Sequence, residues 1–197
     1  MSSHTIFAVL AILFLVTSSL FYLASIFKGE TKLERGTYFL WGFTSIIAFA
    51  AQLSEGGRQA AVLTGFFTVE GLLFFVLSFK YGYGKLSKRD KRGIAIASLG
   101  IVFWLSTDQP LIAVLASVFV DGVGAALLLI KSFEAPYTES LPAWVAYVVG
   151  SFFGLLAVEK FTLVQMAFPV YALIWGIVIV GGLVYSRSKL SNNPIKS

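Results

Sequence analysis

Long apolar runs alternate with short polar breaks along the whole chain. The runs cover about residues 6–27, 37–53, 60–79, 94–105, 111–130, 141–158 and 161–185. A helix rises about 1.5 Å per residue, so about 20 apolar residues cross a hydrocarbon core about 30 Å thick. The fourth run, 94–105, is short and spans only with its flanks and little tilt. The breaks carry the punctuation of helix ends. Paired glycines Gly56 and Gly57 interrupt the chain after the second run, and Pro110 and Pro142 stand at entry positions where a helix tolerates proline. Pro169 lies inside the last run, where the helix must kink or find other partners for the freed carbonyl. No Lys or Arg precedes the first run, which is longer than a signal-peptide core, so it reads as a span. The pattern predicts an all-α integral membrane protein of seven transmembrane helices, ending in a polar, mobile tail over 187–197.

One stretch recurs. Lys28, Thr37 and Trp41 are followed at the same offset of 103 by Lys131, Ser140 and Trp144. Each copy joins an apolar run before it to another after it. An internal repeat fixes an architecture before any residue-level reading does. The expectation is a single membrane domain over 1–197. Repeat one covers about 6–80, an inverter helix about 91–107, and repeat two about 109–186. The inverter lets both three-helix units lie parallel.

Composition agrees: 57% of the 197 residues are hydrophobic and only 13% charged. Seven spans create two sets of loops. One set holds 13 of the 15 Lys and Arg residues, including the cluster from Lys80 to Arg92, and the other holds only Arg58 and Lys160. The positive-inside rule then puts the N-terminus outside and the C-terminus in the cytoplasm, in a cell or plasma membrane. The basic cluster reads as a loop beside anionic lipid, and nucleic acid is not an expected partner. There is no cysteine, and the single histidine, His4, precedes the first run, so neither a metal site nor a cofactor is expected.

Two acids stand inside apolar runs, Glu70 and Asp121. Each lies about ten residues into its span, roughly 15 Å deep at helical rise. An ionisable group at that depth costs about 2.5–3.5 kcal/mol and marks a pathway or proton site by default. The bland alternative is a carboxyl that hydrogen-bonds between helices as glue. Gly71, Gly122 and Gly124 leave space beside them for a close backbone or a ligand. Ser18, Thr68 and Tyr171 are the polar residues expected to join the acids, with Gln52 and Gln165 toward an outer vestibule. Trp41 and Trp144 suit either a substrate platform or a belt or packing role.

The plan of three, one and three spans with an outside N-terminus resembles the SWEET and PQ-loop superfamily of small-solute transporters. Lys131, Pro136, Glu139, Ser140 and Trp144 resemble the second loop of a bacterial branch of it. The Pro-Gln pair of PQ-loop proteins is absent, and so is the asparagine pair of sugar carriers, since no Asn occurs before Asn192. The resemblance implies a transporter of a small polar solute by alternating access, with proton coupling through the midspan acids as a further expectation. The alternative on the same fold is a non-transporting receptor or scaffold. The site residues are then Asp121, Glu70, Ser18, Thr68, Tyr171, Trp41 and Trp144. The expected partners are the solute, protons and the lipid bilayer, with a homo-oligomer left open. An enzyme is not expected, because no phosphate loop, zinc-binding pair or catalytic triad is present. The last run also lacks the lysine that a retinal protein needs.

Overall fold

The structure is a computed structural model that describes residues 2–83 and 109–191, with 88, 91, 94, 95, 98, 102 and 106. Six long helices lie among the described residues: α1 (Ser3–Phe27), α2 (Arg35–Ser54), α3 (Arg58–Tyr81), α4 (Pro110–Glu134), α5 (Leu141–Leu156) and α6 (Leu163–Ser191). Five are long and apolar enough to cross a membrane, and α5 is a shorter apolar helix. The expected fourth span at 94–105 and most of the Lys80 to Arg92 loop fall largely outside the described residues.

Local chemistry explains the helix starts. The Ser2 hydroxyl accepts from the Thr5 N–H to cap α1, and the Glu34 carboxylate accepts from the Thr37 N–H at 2.7 Å to cap α2. Pro110 and Pro142 occupy first turns, where no backbone donor is missed. A single 3-10 turn, Pro136–Thr138, links α4 to α5.

The helices close a ring in the order α1, α3, α2, α4, α6, α5 and back to α1. This order is unchanged when α1, α2 and α3 are exchanged with α4, α5 and α6. Loops 28–34 and 135–140 meet at one end of the ring, called here the basic end. There Lys131 donates to the Lys32 carbonyl, and Leu33 exchanges backbone hydrogen bonds with Tyr81 and Tyr83. Helices α1 and α4 therefore both run toward that end.

Small residues bring the helices close. A Cβ on Gly71 would lie 2.7 Å from the Gly42 nitrogen, so α2 and α3 cross backbone to backbone. Leu15 fills the space over Gly150, and Leu63 that over Gly154. The outward faces carry Leu13, Leu20, Val69, Val76 and Phe79, each more than half or nearly half exposed, which suits lipid. Hydroxyls and amides turn inward instead, with Thr37, Thr44, Gln52, Thr64 and Ser117 all buried.

The tail differs from expectation. Helix α6 continues to Ser191 rather than ending near 185. Ser186 is buried, and the Arg187 guanidinium donates to the Pro136 carbonyl at 3.0 Å and to the Glu139 carbonyl at 2.6 Å. Those bonds hold Arg187 to the basic end, and the helix runs on through 188–191 with those residues exposed. Residues 192–197 lie outside the described part.

Candidate functional site

A small cavity of about 40 Å³ sits inside the ring and is walled by five helices. Helix α2 supplies Tyr38, Trp41 and Ser45, and α3 supplies Phe67, Glu70 and Gly71. Asp121 of α4, Tyr147 of α5 and Phe168 of α6 complete it. The two acids thus share one cavity. Both stand near the middle of their helices: Glu70 is 12 residues past Arg58, and Asp121 is 11 past Pro110. At helical rise those are depths of about 18 and about 16 Å.

Asp121 is buried and held between helices. The Tyr171 hydroxyl of α6 donates to Oδ2 at 2.6 Å, and Thr44 Oγ1 of α2 lies 3.2 Å from Oδ1. Thr44 also lies 2.8 Å from the Leu40 carbonyl, yet a hydroxyl has one proton to give. If that proton goes to Leu40, Thr44 can accept from a protonated Asp121. If it goes to Asp121, it serves the carboxylate. Glu70 is half-buried and built alike. Its Oε1 faces the Ser19 hydroxyl of α1, which also lies 3.0 Å from the Leu15 carbonyl. Hydroxyl partners that accept as well as donate suit an acid that gains and loses a proton.

The seam between α2 and α4 explains why Asp121 stands where it does. Thr37 donates to the Gly124 carbonyl at 2.9 Å, and Trp41 Nε1 donates to the Asp121 carbonyl at 3.0 Å. Thr37, Trp41 and Thr44 are spaced by four and three residues, so one face of α2 follows α4. Gly124 is not ligand space: a Cβ there would come within 2.9 Å of Trp41 Nε1. Gly122 alone of the three glycines beside the acids has ordinary room, with Tyr171 at 3.8 Å.

Aromatic rings close the cavity on both sides along the helix axes. Toward the basic end, Tyr38 packs against Trp41 at 5.4 Å between centroids and against Phe74 at 5.3 Å. Trp41 and Trp144 meet at 6.1 Å. Toward the opposite end, Phe67 stacks on Tyr147 at 5.4 Å and touches Phe168 at 6.1 Å.

Behind the tryptophans lies a buried ion pair. Lys131 Nζ and Glu139 Oε1 are 2.5 Å apart, with neither side chain exposed. Glu139 Oε2 accepts from Tyr22 OH at 2.7 Å and from Trp144 Nε1 at 3.0 Å. One carboxylate thereby ties α1, α4 and α5 together, and Lys131 adds the Lys32 and Thr138 carbonyls. In the sequence Lys131 stands out as a repeat landmark and a loop charge, but not as a buried residue. The signal for its burial was the acid eight residues later, across the turn at Pro136.

The sequence-named residues divide. Asp121, Glu70 and Trp41 line the cavity, and Tyr171 holds Asp121. Trp144 is buried against Trp41 but spends its N–H on Glu139. The belt reading of these two tryptophans does not hold, because both rings point into the ring of helices. Ser18 does not reach either acid; its hydroxyl donates to the Ala143 carbonyl at 2.8 Å and joins α1 to α5. Thr68 donates to the Thr64 carbonyl of its own helix. Gln52 and Gln165 line no vestibule among the described residues. Both are buried and pack on Gly57, with Thr64 donating to Gln52 Oε1 at 2.8 Å. Sequence reading missed Ser19, Thr44 and Tyr147. Ser19 adjoins Ser18, and Tyr147 follows Trp144 by one helical turn, which is the only hint either carried.

Comparison with protein-family models, with curated proteins and with solved structures finds no match for this chain. The functional reading therefore rests on the geometry.

Proposed function

We propose that this chain is a membrane transporter that carries a small polar solute by alternating access, with Glu70 and Asp121 as solute ligands or proton carriers. The observation that carries the reading is the shared cavity: two midspan acids face one space, with aromatic layers on both sides of it. A plan of two parallel three-helix units joined by an inverter, as in the SWEET and PQ-loop superfamily, is supported by the exchangeable ring order. It is also supported by the seams. The residue 103 before Asp121 is Ser18, and the two sit on corresponding contacts, α4 against α2 and α1 against α5. In such folds the site lies between repeats, and rocking of one unit against the other exposes it to each side. Gly122 and Pro169 are the places where α4 and α6 yield most readily. The orientation proposed has the basic end in the cytoplasm, following the loop charge bias.

The test is uptake of a panel of small labelled solutes into proteoliposomes, with and without a pH gradient. Asp121→Asn and Glu70→Gln keep shape and remove the charge. Loss of pH-driven uptake at an unchanged melting temperature is the expected result. Full pH-dependent uptake in both variants would overturn the role of the acids. The second reading, a non-transporting receptor or scaffold, draws on the small cavity and on the acids being partnered already. A protein that moves no solute yet binds another membrane protein would favour it.

A further inference from the structure

We propose that the cavity binds a small monovalent ammonium ion, the protonated form of a primary amine with few carbon atoms. This rests on the reading of the cavity as the solute site and names the solute's class.

Four observations converge. The first is charge. Two carboxyl groups line the cavity, and none of its lining residues is Lys, Arg or His. Lys131, the buried lysine of α4, is engaged by Glu139 and backbone carbonyls at the basic end. An anion would meet two acids with no countercharge.

The second is hydrogen-bond polarity. The Ser45 hydroxyl is spent on the Trp41 carbonyl at 2.7 Å, and Trp41 Nε1 on the Asp121 carbonyl. Glu70 bonds through Oε1 to Ser19, which leaves Oε2 without a hydrogen bond among the described residues. An ammonium group brings three donors and no acceptor, which is what that open oxygen calls for. A sugar or other neutral polyol also brings several acceptors, and of the lining side chains only the Tyr38 and Tyr147 hydroxyls remain to donate to them.

The third is the wall. Tyr38, Trp41, Phe67 and Tyr147 surround the acids with aromatic rings. Ring faces attract cations, and weakly hydrated organic ammonium ions most readily in a desolvated site. A hard, strongly hydrated inorganic ion gains less from such walls.

The fourth is size. The volume is about 40 Å³ on a scale where one water needs about 10–15 Å³, so the space takes a solute of a few heavy atoms.

The probe is radiolabelled methylammonium, measured by equilibrium binding to the purified full chain in detergent, with flux into proteoliposomes as a separate readout. Saturable binding is expected, displaced by unlabelled methylammonium but not by ethanol, acetate, Na⁺ or K⁺ at equal concentration. Glu70→Gln and Asp121→Asn should each weaken it roughly tenfold or more. Phe67→Leu, which removes a ring but keeps apolar bulk, should weaken it severalfold. Thr68→Val, outside the lining, should bind as the parent does. Melting temperatures of all variants separate lost binding from lost folding. Absence of saturable methylammonium binding by folded parent protein overturns the proposal. So does equal displacement by ethanol, Na⁺ or K⁺, or unchanged binding in both acid variants. Binding without flux supports this site while overturning the transport reading. Flux of a neutral solute without ammonium binding overturns this site while leaving transport intact.

Discussion

Lys131 and Glu139 meet 2.5 Å apart, eight residues from each other in sequence, with both side chains wholly shielded by the turn and helices around them. Tyr22, Trp144 and the Lys32 carbonyl complete their hydrogen bonds. The pair joins loop 28–34, α1, α4 and α5 at the basic end.

Breaking one half of the pair should therefore be costly. Lys131→Met leaves a buried carboxylate without its cation and is expected to destabilise the fold by about 3–5 kcal/mol. The double change Lys131→Met with Glu139→Gln should recover a large part of that. Thermal unfolding in detergent of the two singles and the double measures the coupling. Additive losses would show that the pair does not act as a unit.

Gly71 and Gly122 both neighbour midspan acids but should respond in opposite ways. Gly71→Ala forces a methyl against the Gly42 backbone and is expected to cost about 1–3 kcal/mol. Gly122→Ala meets nothing nearer than 3.8 Å and should be neutral or gain up to about 1 kcal/mol from helix propensity. Melting temperatures decide it, and a harmless Gly71→Ala would contradict the close crossing.

The adjacent serines of α1 should also separate. Ser18→Ala removes a bond to the Ala143 carbonyl and should lower stability by about 0.5–1.5 kcal/mol while leaving methylammonium binding alone. Ser19→Ala strips Glu70 of its hydroxyl partner and should change methylammonium binding measurably. Equal binding in the two variants would remove Ser19 from the site.

Orientation has its own test. An impermeant thiol reagent should fail to label Ser87→Cys in intact cells and should label it after permeabilisation, since the native chain has no competing cysteine. Ready labelling without permeabilisation would reverse the topology.

Element by element, the helices outside the fourth span were legible from apolar runs alone, because run length answers to bilayer thickness. Their ends were legible where capping chemistry is local, as at Ser2, Pro110 and Pro142. The end of α6 was not. Arg187 looks like a tail charge until α6 brings it against the Pro136 and Glu139 carbonyls. The depth of Glu70 and Asp121 was also readable, since rise per residue is fixed.

What sequence by itself determined, then, is one-dimensional: which segments are apolar, how long they are, and how deep along each helix an acid lies. The tertiary structure decided the rotation of each helix about its axis. That rotation chose Ser19 over Ser18 as the partner of Glu70, turned Trp41 and Trp144 inward, and buried Lys131 on Glu139. The physical reason is that α1, α3 and α6 are apolar nearly all round, so hydrophobicity alone does not tell their inner face from their outer one. Close glycine crossings such as Gly42 on Gly71, and hydroxyls seeking a carbonyl or carboxyl, settle that choice only once two helices meet.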